Sequence, residues 1–223
     1  MARFSRIEVA FQMKRQGVIP VFYHADAELC KEILKASYAA GIRVFEFTNR
    51  GDFAHEVFGE LNRWAARELP ELMLGVGSVV DAPTAALYIQ LSAAFVVSPL
   101  LNEEMAPVCN RRKVLWAPGC GSLSEIGRAE ELGAEIVKIF PGSSVGGPEF
   151  VRAVKGPCPW SSIMPTGGVE PTEESLRAWF QAGVTCVGMG SNLFPKKLVE
   201  ARDWAAVTET IKCVLDRVVA VRK

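Results

Sequence analysis

At 223 residues the chain has room for one large domain or two small ones, and its 49% apolar content is enough for a sizeable core. Its 25 basic and 25 acidic side chains cancel, and the isoelectric point is near 6.7, which leaves no basic surplus to grip nucleic acid or a membrane surface. No apolar run approaches membrane-spanning length, and the opening Met1-Ala2-Arg3-Phe4-Ser5-Arg6 lacks the apolar segment of a signal peptide.

The predicted elements repeat one pattern. A helix over about Ser5–Gln16 is followed by eight short apolar runs that read as strands: Val18–Tyr23, Val44–Thr48, Met73–Ser78, Ala94–Pro99, Val114–Pro118, Ile136–Phe140, Ser162–Thr166 and Cys186–Ser191. Segments of helical length and period separate them. The first opens at Asp26, places Leu29, Ile33, Ala36 and Ala40 on one face, and stops at Gly41. Asp81 before Pro83, and Asn102 before Glu103-Glu104, read as helix starts. Ser122-Leu123-Ser124-Glu125 reads as a capping box for a helix ending near Gly133. Asp203 opens a long last helix through Trp204, Val207, Ile211, Leu215 and Val218. Eight strand–helix units in one chain predict an α/β fold, a closed (β/α)₈ TIM barrel with the N-terminal helix covering its bottom. An open doubly wound sheet is the competitor. No linker divides residues 1–223, so a single domain is expected.

The cysteines at 30, 109, 120, 158, 186 and 213 form no C-x-x-C pair, which points to reduced thiols in a cytoplasmic protein rather than a disulfide frame or a zinc site. His24 and His55 are the only histidines, too few for a histidine-rich metal site. His24 ends the first strand, where capping or surface display is the plainer role. His55 falls in a helix. Cys120 lies near the expected active face without a base partner that would make it a nucleophile.

Two charges interrupt apolar strands. Lys138 sits within Ile136-Val137-Lys138-Ile139-Phe140, and an ammonium group there must be paired, neutralised or used. A desolvated lysine with a lowered pKa attacks carbonyl carbon well. Glu46 sits within Val44-Phe45-Glu46-Phe47-Thr48. Alternation puts Val44, Glu46 and Thr48 on one face and the bulky Phe45 and Phe47 on the other, toward the helices. Lys138 shares its face with Ile136 and Phe140, so the two charges are expected to converge inside the barrel. A carboxyl held there has a raised pKa and can shuttle protons near neutral pH. A purely structural ion pair is the alternative, but replacing such a pair by apolar residues is often neutral or stabilising.

Barrel active sites form at the C-terminal strand ends. Arg50 and Ser78 lie there. So do two glycine loops, Thr166-Gly167-Gly168 and Gly188-Met189-Gly190-Ser191, after the last two strands. Loops at these positions commonly cradle phosphate, because glycine lets backbone N–H groups approach an anion. Gly146-Gly147 is a third, weaker candidate.

Over nearly its whole length the sequence resembles the family of 2-keto-3-deoxy-6-phosphogluconate (KDPG) and 4-hydroxy-2-oxoglutarate (KHG) aldolases. The matching pieces include Gly17-Val18-Ile19-Pro20-Val21, Phe45-Glu46-Phe47-Thr48 with Arg50, Val97-Ser98-Pro99 with Asn102, and Ala117-Pro118-Gly119-Cys120. The most specific are Val137-Lys138-Ile139-Phe140-Pro141 and Pro165-Thr166-Gly167-Gly168. The resemblance implies a class I aldolase with a barrel fold, usually a homotrimer, acting on a keto-acid substrate without cofactor or metal. It implies that Lys138 is the Schiff-base lysine and Glu46 the general acid/base. Arg50 and Ser78 match positions that hold the pyruvate carboxylate, and Pro99 and Phe140 match pocket-lining residues. Thr166, Gly167, Gly168 and Ser191, with Gly190 beside it, match the distal hydroxyl and phosphate site. Ser78 stands where threonine is usual, Asn49 where leucine is common, and Pro141-Gly142-Ser143-Ser144 where Pro-Ala-Glu is frequent, departures that bear on substrate preference. Two other readings of the same residues are a phosphosugar isomerase or epimerase with Glu46 as base, and a barrel that binds a phosphorylated metabolite without turning it over.

Overall fold

The alternation of short apolar and longer amphipathic runs is realised as strands inside and helices outside. A computed structural model describes residues 3–222. Helix α1 (Arg6–Gln16) comes first, followed by β1 (Val18–Phe22), α2 (Ala27–Ala39), β2 (Val44–Thr48), α3 (Ala54–Glu68), β3 (Met73–Gly77) and α4 (Ala82–Gln90). The chain continues with β4 (Phe95–Val97), α5 (Met105–Arg112), β5 (Leu115–Ala117), β6 (Gly119–Cys120), α6 (Leu123–Glu131), β7 (Val137–Ile139) and α7 (Gly147–Lys155). It ends with β8 (Ile163–Pro165), α8 (Glu173–Gln181), β9 (Val187–Met189), α9 (Lys196–Glu200) and α10 (Trp204–Val221).

All the strand pairs are parallel. Six strands run in the order β5-β4-β3-β2-β1-β9 and three in the order β6-β7-β8. The two groups close into one barrel at two seams. At the first, β5 and β6 are one strand interrupted by Pro118, which has no N–H to give the ladder but whose carbonyl still accepts from Lys138 N–H at 2.9 Å. At the second, a bridge joins Thr166 to Gly188, and Thr185 N–H donates to Ile163 O at 2.8 Å. Counting β5 and β6 together gives the eight strands the sequence predicts.

The alternation of faces is also as expected. Val44, Ile136 and Met164 belong to an interior cluster with Ile19, Phe95 and Leu115. Phe45 and Phe47 pack outward among the helices, where the Phe47, Phe58 and Tyr88 rings meet at centroid distances of 6.0 and 5.1 Å. Helix α1 closes the bottom, with Val9 and Met13 fully buried in the interior cluster. Its start is a complete Ser5–Glu8 capping box.

Local differences from the sequence reading have local causes. Ser122 caps α6 by accepting from Glu125 N–H, but the Glu125 carboxylate accepts from Gly121 N–H and the Ser122 hydroxyl, so only half of a capping box forms. Asn102 accepts from Glu104 N–H and α5 begins only at Met105. A further short helix, α9, begins just after Pro195, which stands at its N-cap.

Gln16, the last residue of α1, was expected only as a helix end. Its buried amide donates to Val18 O at 2.7 Å and Val44 O at 2.9 Å, and accepts from Arg43 N–H at 2.6 Å and Val44 N–H at 2.9 Å. One side chain thus satisfies backbone groups at the bottom of β1 and β2. Gln16→Leu keeps the volume and strands these groups, so it is expected to lower unfolding free energy by about 2–4 kcal/mol, read from the urea midpoint. An unchanged midpoint contradicts this role.

Candidate active site

Strand register decides which side chains share the barrel mouth. Glu46 is opposite Val21 on β1 and Gly75 on β3, and Lys138 is opposite Gly119 on β6 and Met164 on β8. Both charged residues are buried, at 1% and 5% exposure, so each is desolvated rather than displayed. Glycines make the room. A Cβ at Gly77 would overlap the Glu46 carboxylate, and one at Gly119 would overlap the Pro99 carbonyl carbon and oxygen. Pro99 is thereby seated over the register partner of Lys138.

Burial pushes the Lys138 amine below the usual lysine range, opposed by the Glu46 charge and reinforced by Arg50. Burial likewise pushes the Glu46 carboxyl up, against the pull of Lys138 and Arg50. Both shifts run toward the neutral form, so desolvation outweighs the mutual attraction. No hydrogen bond joins the two groups, and Glu46 Oε2 has no partner among the described residues. Lys138 Nζ lies over the Phe140 ring, 5.0 Å from its centroid. The arrangement supplies an amine biased toward its neutral, nucleophilic form near a carboxyl biased toward its protonated form.

Above this pair opens a cavity of about 670 Å³, lined by Thr48, Arg50, Phe140, Thr166, Gly167, Gly168, Gly190 and Ser191, among others. The structure therefore brings together every residue expected at the phosphate end with Arg50 and Phe140. Glu46, Lys138, Ser78 and Pro99 lie outside the lining. Ser78 is linked to it by Arg50, whose Nε donates to Ser78 Oγ at 3.3 Å. Ser78 holds φ 59°, a left-handed conformation that a non-glycine residue adopts at a cost and that recurs at functional sites.

The glycine loops are tightly tied. Gly142 N–H donates to Thr166 O at 2.9 Å and Ser143 N–H to Gly167 O at 3.1 Å, and a Cβ at Gly168, at φ 77°, would overlap the Ser143 side chain. Asn192 Nδ2 reaches Glu170 Oε2 at 2.9 Å, pinning the loop after β9 to the loop after β8. Gly146-Gly147 starts α7 and is outside the cavity lining. His24 is exposed at the mouth of the cavity, where its Nδ1 accepts from Asp26 N–H at 3.0 Å, while the cap of α2 is Asp26 itself. Burial pushes the Cys120 thiol up to about 12, which keeps it a poor nucleophile.

Sequence reasoning missed several features. Asn49, noted only as a departure from leucine, accepts from the buried Tyr88 hydroxyl at 2.8 Å, and its N–H donates to Gly77 O at 2.8 Å. It anchors the chain just before Arg50, and the tyrosine, on α4, gave no sign of it in the sequence. Thr48 was placed on the inward face without a role. Phe22, Tyr23, Phe194, Lys196 and Glu200 line the cavity but belong to segments whose spacing shows no relation to the strands carrying the charges.

Comparison with known proteins bears on this geometry. A family model described as "KDPG and KHG aldolase" matches residues 9–210. A 2-dehydro-3-deoxy-phosphogluconate aldolase of Pseudoalteromonas atlantica is 34% identical over 87% of this chain and 88% of that protein. The KDPG aldolase of Legionella pneumophila, with pyruvate captured as a covalent carbinolamine intermediate, superposes with a TM-score of 0.83 at 26% identity, over 92% of this chain and 97% of that one. The 2-keto-3-deoxy-6-phosphogluconate aldolase of Zymomonas mobilis with 3-phosphoglycerate has a TM-score of 0.80 at 25% identity, over 94% and 96% of the two chains. A barrel with a desolvated lysine and glutamate at its mouth, matched along almost all its length by one family, places this chain among the KDPG and KHG aldolases and makes it an aldehyde-lyase.

Proposed function

We propose that the chain is a class I aldolase that reversibly cleaves 2-keto-3-deoxy-6-phosphogluconate to pyruvate and glyceraldehyde 3-phosphate, and that it also accepts 4-hydroxy-2-oxoglutarate, releasing pyruvate and glyoxylate. The observation that carries this reading is Lys138, a lysine with 5% exposure whose amine burial holds toward the neutral, nucleophilic form. The covalent pyruvate adduct in the Legionella relative is the chemistry such an amine performs. The glycine loops lining the far end of the cavity favour a phosphorylated substrate.

In this mechanism the Lys138 lone pair attacks the C2 ketone. Glu46 gives its proton to the departing hydroxyl of the carbinolamine, leaving an iminium cation beside a carboxylate. That carboxylate takes the C4 hydroxyl proton, through a water. The C3–C4 electron pair moves into the iminium as the aldehyde leaves, and the enamine is reprotonated at C3. Hydrolysis releases pyruvate and restores the amine. The iminium serves as the electron sink, so no metal or cofactor enters the scheme. Arg50 and Ser78 hold the substrate carboxylate, Pro99 and Phe140 wall the reacting carbons, and Thr166, Gly167, Gly168, Gly190 and Ser191 hold the distal hydroxyl and phosphate. A homotrimer is the assembly the family resemblance implies, and the scattered cysteines without a C-x-x-C pair point to a cytoplasmic protein. The exposed Phe11, Phe53 and Trp160 offer apolar area for such an interface. Among the described residues no helix is long and apolar enough to cross a membrane.

Borohydride added with pyruvate is expected to fix a covalent adduct on Lys138, seen as a mass increase on its peptide, and Lys138→Ala is expected to abolish both adduct and turnover. Full trapping in the variant sinks the assignment. Pyruvate release measured across phosphorylated and unphosphorylated 2-keto-3-deoxy acids tests the substrate, with the phosphorylated acid expected to have the higher kcat/KM.

Arg50→Gln removes the carboxylate's charged partner and is expected to raise the KM for pyruvate in the reverse reaction by about 10-fold or more, the scale of one lost charge-assisted hydrogen bond. An unchanged KM excludes Arg50 from carboxylate binding.

The Glu46 shift has a consequence for stability. A carboxyl whose folded pKa is raised binds its proton more tightly in the folded state, so the fold loses stability as pH rises from 4.5 through the folded pKa. Glu46→Gln removes that loss. The variant is expected to melt no lower than the parent at pH 8, with its relative advantage shrinking as the pH falls toward 4.5, while its turnover collapses. A Tm deficit that grows with pH contradicts the raised pKa.

A further inference from the structure

Among the described residues, the buried side-chain atoms without a hydrogen-bond partner include Glu46 Oε2, Thr48 Oγ1 and Thr166 Oγ1. All three belong to residues at the barrel mouth. A buried hydroxyl with no partner is costly, and such a group in a folded protein calls for a ligand or an ordered water. Thr166 has its place in the distal site, and its hydroxyl leans toward β9, where a Cβ at Gly188 would overlap it. Thr48 has no role in the scheme above. It is 2% exposed, yet it lines the cavity.

Register puts Thr48 beside the general acid/base. Residues two apart on a strand share a face, so Thr48 stands one layer above Glu46 toward the mouth. The Glu46 carboxylate does not stay in its own layer. It reaches up against Gly77, and Gly77 is the register partner of Thr48. The carboxylate and the Thr48 side chain, of which Thr48 lines the cavity, therefore occupy one level, each carrying an oxygen that no described protein group satisfies and neither bonding the other.

We propose that Thr48 is a positioning residue for the proton transfer. Its hydroxyl and Glu46 Oε2 together hold the water that relays the proton between substrate and carboxylate. In cleavage the water passes one proton to Oε2 and receives the C4 hydroxyl proton, and the C3–C4 electron pair enters the iminium. The same relay serves C3 when the enamine is reprotonated, so the water is unchanged over the cycle. This inference rests on the class I aldolase reading of the same site.

Thr48→Val keeps the side-chain shape and deletes the hydroxyl. Three quantities are compared with the parent: borohydride trapping of pyruvate, exchange of the pyruvate methyl protons with solvent deuterium followed by NMR, and kcat and KM for cleavage. Trapping and KM are expected to stay within about 2-fold, because imine formation and uniform binding survive. Methyl exchange and kcat are expected to fall together by about 10–100-fold, at the low end of what a misplaced general acid/base costs. Thr48→Ser restores the hydroxyl and is expected to recover most of both. Exchange at the parent rate in Thr48→Val overturns the relay. So does a loss of trapping, exchange and Tm together in both variants, which marks Thr48 as structural. If the parent itself neither traps nor exchanges, the aldolase reading fails, and the relay falls with it.

Discussion

Desolvation of the Lys138 amine is the constraint on which the rest of this barrel depends. A primary amine in water is held protonated and inert toward ketones. Inside the closed ring of strands the same group is held toward its neutral form, because the interior cannot solvate the cation. That condition requires a dry interior, and the fold supplies it from below. Helix α1 plugs the bottom with Val9 and Met13, and the Gln16 amide satisfies the backbone ends of β1 and β2 that would otherwise draw in water. Solvent and substrate are left with the mouth as the approach.

A buried Lys–Glu pair is ordinarily a poor device for stability, since both groups lose hydration and the attraction only partly compensates. Here both are driven the same way, toward neutrality. The pair is then suited to a reaction that makes and discharges an ion pair within one cycle. In the proposed mechanism the positive charge of the imine stabilises the carboxylate that takes the next proton. When it is hydrolysed, both charges vanish. Gly77 and Gly119 are part of this device: side chains there would collide with the Glu46 carboxylate and the Pro99 backbone.

Much of this was legible in the sequence, for a definite reason. A charge in an apolar strand and the period-two alternation around it are local signals, so Lys138, Glu46 and their inward faces followed from short segments. The glycine loops after the last two strands were legible because barrels place their ligand loops by strand order. Element ends were less so. The fifth strand breaks at Pro118, which has no N–H to give the ladder, and the expected capping box at Ser122 forms by half because the Glu125 carboxylate accepts from Gly121 N–H and the Ser122 hydroxyl. Gln16 and Asn49 were missed altogether. Each satisfies backbone or side-chain groups far away in the chain, and nothing in the neighbouring residues encodes that distance.

The sequence by itself determined the number and type of elements, the inward orientation of the two charges and the family, since these rest on periodicity, on the cost of burying charge and on ordered motifs along one chain. Only the tertiary structure decided that the Glu46 carboxylate leans on Gly77 at the level of Thr48, that Arg50 reaches Ser78, and that Thr166, Gly167, Gly168, Gly190 and Ser191, from the loops after β8 and β9, line one cavity with Phe140. Those relations depend on strand register and ring closure. Both are set by contacts between segments that lie far apart in the chain.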